Sequence, residues 1–159
     1  MRLLILIAMA TGGFPYPPTP IGVGALFHPR AASRPVALHC DGDERWRGVH
    51  LELFARNRVV IIPAGIRSRC LRTRWPVGVI EVRGRRTLGD FFRVWGQPFS
   101  RTRLVGFQTR PGRPVRAYVA GRRWRGALRA IPLRRHAQIV LELGKHIPPK
   151  KVFLFPDGL

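Results

Sequence analysis

Val49-His50-Leu51-Glu52-Leu53-Phe54-Ala55, followed by Arg56-Asn57 and Arg58-Val59-Val60-Ile61-Ile62, is the stretch that decides the fold class. Apolar side chains recur at every second position, which is the period of a strand with one face on a core. Val49, Leu51, Leu53 and Ala55 share one face, and His50 and Glu52 fall on the other. Two residues suited to a tight turn and then a β-branched run complete a hairpin, and Pro63-Ala64-Gly65 ends its second strand.

Working toward the C-terminus, Val79 to Val82 reads as another strand, stopped at Gly84. Thr87 to Gly96 reads as the one clear helix. Thr87 can cap it, Asp90 stands three residues on as in a capping box, and Gly96 with Pro98 closes it. Leu88, Phe91, Phe92 and Trp95 fall on one side of that helix, as a core stripe rather than a platform for nucleobases. Val115 to Val119, Ala120-Gly121-Arg122 and Arg123 to Gly126 form a second hairpin. Ala137 to Leu143 is a further strand ended by Gly144, and Val152 to Phe155 a last short one. This succession of strands around one helix predicts an α+β domain, a largely antiparallel sheet of hairpins with one helix packed across it, in a β-grasp-like arrangement.

Toward the N-terminus the pattern changes. Thr11 to Pro35 holds Pro15, Pro17, Pro18, Pro20, Pro29 and Pro35, which excludes regular helix or central strand and reads as a tether over residues 11–35. The globular domain is expected over residues 36–159. Ahead of the tether, Met1-Arg2, the apolar stretch Leu3 to Ala10 and its Ala8-Met9-Ala10 ending have the pattern of a short signal peptide over residues 1–10. No apolar run approaches the roughly 20 residues of a membrane-spanning helix. An apolar fraction of 45% argues against wholesale disorder, and two cysteines exclude a disulfide-dense scaffold or a four-cysteine zinc module.

The 159 residues carry a formal charge of +21, and all but Lys145, Lys150 and Lys151 of the 29 basic residues are arginine. Such a surface attracts nucleic acid, anionic lipid or acidic envelope polymer. Arginine enrichment also follows from a GC-rich genome. The densest segment is Arg113 to Arg129, where Tyr118 and Trp124 interleave with Arg113, Arg116, Arg122, Arg123 and Arg125, the candidate polyanion contacts.

HLELFARNRVVIIPAGI, LRTRWPVGVIEV, TLGDFFRVWGQP, VRAYVAGRRWRG, IPLRRHAQIVLELG and the closing FPDGL, in this order and spacing, resemble a family of uncharacterised actinobacterial proteins that read as exported. The resemblance spans His50 to Leu159 and implies no particular activity. Many relatives carry an H-x-H-x-H-L pattern on the first strand and an L-H-T-H…G-x-I-H-V pattern later, the geometry of a transition-metal site on one sheet face. Here the corresponding positions read Trp46, Gly48 and His50, then Arg72, Arg74 and Glu81. Only His50, and Glu81 as a carboxylate replacement, survive as vestigial candidates, and two arginines stand where a cation would sit. The expectation is that the metal site is lost and that no cofactor is bound.

Other constellations are weaker. His50, Glu52 and Glu81 on one face would suffice for general acid–base catalysis, against which stands ion pairing of the carboxylates with Arg72, Arg74 or Arg83. Cys40 and Cys70 offer a nucleophile with His39 or His50 as base, or a disulfide, which suits an exported domain and which the closer relatives support weakly. His136 reads as a packed or hydrogen-bonded side chain. No phosphate-binding glycine loop and no G-x-S-x-G is present. The reading is therefore an exported, extracytoplasmic, non-enzymatic module with an anionic envelope polymer or lipid surface as partner. The alternative is a cytoplasmic nucleic-acid-binding protein. An enzyme using His50 with Glu52 or Glu81 is a third reading, with no motif behind it.

Overall fold

The structure, a computed structural model, describes residues 24–30, 36, 38–40 and 45–159. The Met1 to Ala10 leader and most of the tether lie outside the described residues. An eight-stranded sheet comprises β1 (Ala25–Phe27), β2 (Arg47–Ala55), β3 (Arg58–Val60), β4 (Leu71–Arg72), β5 (Val79–Val82), β8 (Arg116–Val119), β9 (Arg122–Arg123) and β10 (Gln138–Leu143). The helix α1 spans Leu88–Trp95, β6 (Arg103–Leu104) and β7 (Phe107–Gln108) form a separate small hairpin, and a 3-10 turn spans Leu128–Ala130. The α+β class and the mainly antiparallel pairing agree with the sequence.

β2 is the central strand. Along one edge it pairs antiparallel with β5 over Arg47–His50 and with β3 over Leu53–Ala55. Along the other it pairs parallel with β10, His50 opposite Gln138 and Ala55 opposite Leu143. This parallel centre was not expected from a chain of hairpins. It is buried on both faces, as parallel pairs generally are. β10 continues antiparallel to β8, and β8 to β9. The two expected hairpins form around Arg56-Asn57 and Ala120-Gly121, all four residues at positive φ, which matches the twist of the flanking strands.

One sheet face carries Val49, Leu51, Leu53, Ile139 and Leu141 and packs into a single core with α1. Thr87 and Asp90 make the reciprocal capping box, and Gly96 ends the helix in the left-handed conformation. Leu88, Phe91, Phe92 and Trp95 are all buried, with Phe92 stacked 4.2 Å from Phe99, so the aromatic stripe is core. Each such side chain contributes about 1.5–3 kcal/mol by leaving water.

The second face is covered by the C-terminal segment, residues 145–159. Val152 to Phe155, expected as a strand, is not one: it crosses the face of the sheet rather than joining an edge, so it forms no ladder. Its alternation persists, however. Phe153 stacks 3.7 Å from His50 and Phe155 stacks 4.7 Å from His136, while Val152 and Leu154 point out at 77% and 73% exposure. Gly48 permits this approach, because a Cβ there would lie 2.7 Å from Phe155 Cδ1. His136 Nε2 donates to the Leu159 carbonyl at 2.6 Å and anchors the end of the segment.

The sheet also reaches into the stretch expected as tether. Ala25–Phe27, a proline-free interval, adds to β3 as a parallel edge strand, and Phe27 meets the Phe107 ring edge-on at 4.7 Å. Cys40 and Cys70 lie at disulfide distance with Cα atoms 5.7 Å apart, fastening the segment before β2 to β4.

Candidate functional site

The alternation of β2 places His50 and Glu52 on the face under the C-terminal segment, and the register of β10 brings Gln138 and Glu142 onto the same face. His50 is 1% exposed. Its Nε2 lies 2.9 Å from the Val77 carbonyl and its Nδ1 2.6 Å from Gln138 Oε1. Burial pushes its pKa down from 6.5 to about 4; Lys150 adds to the shift, and the contacts to Gln138 and Val77 oppose it. A neutral ring that donates from Nε2 can only accept at Nδ1.

Glu52 Oε1 is buried without a hydrogen-bond donor; His50 Nδ1 stands 3.9 Å away and Lys150 Nζ 3.8 Å. Burial raises the Glu52 pKa, against the pull of Lys150 and Gln138. Glu81 is on the same face but belongs to a different cluster. Arg72 and Arg74 reach its carboxylate at 2.5 and 2.6 Å, and the Arg72 guanidinium lies 3.9 Å over the Trp46 ring, with Arg83 at 4.3 Å. The face is thus divided. His50 sits under Phe153 with Gln138 and Glu52 beside it, while Glu81 is held by arginines near Trp46. Among the described residues no three metal-ligating side chains converge.

Farther along β10, Glu142 is fully buried and accepts from Arg116 at 3.2 Å, from His146 Nδ1 at 3.0 Å and from the Ile147 backbone at 3.0 Å. This cluster removes Arg116 from the candidate polyanion contacts, since Glu142 neutralises it and Gly144 O takes a further hydrogen bond from it. Arg113, Arg122, Arg123 and Arg125 are exposed, as expected. Tyr118 is only 9% exposed, with its hydroxyl 3.2 Å from His146 and Arg123 over its ring, so it offers no open stacking face. Trp124 is half-buried and borders an open cleft of about 440 Å³ with Arg101, Arg116, Arg123 and Arg125. Among the described residues, no carboxylate lines that cleft. Cys40 and Cys70, at disulfide distance, present no thiol nucleophile to His39 or His50.

Gln138, Lys150, Phe153 and Arg101 were not singled out from the sequence. Gln138 and Glu142 alternate with Ile139 and Leu141 in β10, a signal that pairs them with His50 and Glu52 only once the parallel register is known. No protein-family model, curated protein or solved structure matches the chain.

Proposed function

We propose that this chain is an exported, non-enzymatic module that adheres to anionic envelope material, polymer or lipid headgroup, through its arginine surface. The observation that carries the reading is the cleft beside Trp124. Arg101, Arg123 and Arg125 border it, and among the described residues none of them has a carboxylate partner and no acidic residue lines the cleft. Uncompensated like charges raise the energy of the compact state and strongly favour an anionic partner. The Cys40–Cys70 pair supports an extracytoplasmic location, where disulfides persist. The parallel contact between β2 and β10, with one helix across the sheet, supports a β-grasp-like arrangement.

His50 lies under Phe153 with Glu52 buried beside it, and Glu81 is bound to Arg72 and Arg74. Both facts support a face that packs rather than catalyses, with the histidine site of the resembling actinobacterial family vestigial here. The test is sedimentation of the purified protein with isolated envelopes and with anionic and neutral vesicles across a salt series. Binding to the envelopes or anionic vesicles at low salt and release as salt rises is expected. No sedimentation at low salt, or equal retention on neutral vesicles, refutes the reading.

A further inference from the structure

The arginine cleft has a floor as well as a charge. Val115, Ala117 and Leu128, all buried, supply an apolar base. Trp124 is fixed at both ends: its backbone N–H donates to Ala117 O at 2.8 Å and its indole Nε1 donates to Ala127 O at 3.2 Å. Gly126 leaves room for the ring, since a Cβ there would lie 3.1 Å from Nε1. Arg101 comes from a separate segment, tied to the start of β8 by the hydrogen bond from Val115 N to Arg101 O at 2.8 Å. With Arg116 held by Glu142 and the Arg123 guanidinium over the Tyr118 ring, Arg101 and Arg125 remain for a ligand.

From these features we infer that the cleft seats one repeating unit of a phosphodiester-linked sugar polymer, an inference that rests on the proposed adhesion to anionic material. Arg101 and Arg125 take the phosphate oxygens, and the Trp124 ring with the apolar floor takes the C–H face of the sugar. A single guanidinium fork already saturates a carboxylate, whereas the tetrahedral oxygens of a phosphate can engage more than one. The cleft volume is that of a site for one small unit. Single-stranded nucleic acid is held on successive aromatic platforms, and here Tyr118 is covered, which leaves Trp124 alone.

The experiment is calorimetric titration of the full chain, at low and at physiological salt, with poly(ribosyl-ribitol phosphate), with polygalacturonate and with an oligothymidylate. The sugar phosphate polymer is expected to bind about tenfold more tightly than the other two at physiological salt. Trp124→Leu is expected to lose about tenfold in affinity for it, the scale of one stacked ring. Arg125→Gln, at an exposed site without a structural partner among the described residues, is expected to lose affinity for the same polymer and decides the question if Trp124→Leu fails to fold. Equal affinity for all three polymers, unchanged in both variants, overturns the cleft assignment while leaving general adhesion standing. Tighter binding of oligothymidylate, weakened by Trp124→Leu, overturns it in favour of single-stranded nucleic acid. No binding to any polymer at low salt overturns the adhesion reading itself.

Discussion

Acid should destabilise the protein through His50, in a window set by its environment. The ring is buried beneath Phe153, and its pKa falls from 6.5 to about 4. Between these values the unfolded chain binds a proton that the folded chain refuses. Stability from this group is therefore complete above pH 6.5 and is lost as pH falls toward 4. The total is about 3 kcal/mol, at a limiting slope of about 1.4 kcal/mol per pH unit. Glu52 acts in the opposite sense. Its raised pKa makes the folded state the better proton acceptor above the ordinary 4.5, so its contribution is present in acid and declines as pH rises. It opposes the His50 contribution, and because His50→Gln retains Glu52, comparing the variant with wild type sets the Glu52 contribution aside. Urea unfolding of wild type and His50→Gln at closely spaced pH values isolates the term, because glutamine keeps hydrogen-bonding groups at the site but does not titrate. The difference between their stabilities should shift toward the variant by more than 1 kcal/mol from pH 6.5 to 5, the scale of that slope. Parallel profiles would refute the buried, neutral imidazole.

Three further outcomes follow from the packing. Replacing Cys40 or Cys70 with serine should cost about 3–4 kcal/mol by loop-closure entropy, seen in urea unfolding of the oxidised protein and absent once wild type is reduced. Gly48→Ala should force Phe155 off the sheet and cost about 1–3 kcal/mol, with faster amide exchange along β2; an unchanged exchange pattern would contradict the close contact. Thr87→Ala removes the side chain that caps α1 and should cost about 1 kcal/mol, measured by thermal unfolding.

The strongly local features were legible in the sequence. The two-residue period from Val49 to Ala55 located the central strand and divided its faces correctly, and the Thr87, Asp90 and Gly96 signals marked the helix ends. Pairing was harder to read, because the partner of β2 lies at the far end of the chain and hydrophobic alternation carries no direction. Parallel β10 was therefore missed, and with it the placing of Gln138 and Glu142 beside His50 and Glu52. Val152 to Phe155 shows the same limit from the other side: alternation identified which side chains turn inward but not whether the backbone would join a ladder. β4, β6 and β7, two residues each, are too short to produce a periodic signal. In the arginine-rich segment, composition suggested five contacts, and only the structure separates Arg116, spent on Glu142, from the exposed ones.

Export of this basic module can be read from the intact mass of the protein isolated from its native cells under non-reducing conditions. Expected is a chain trimmed ahead of β1, within residues 1–24, and two hydrogens lighter than its reduced form through a Cys40–Cys70 bond. An untrimmed chain with two free thiols would contradict it.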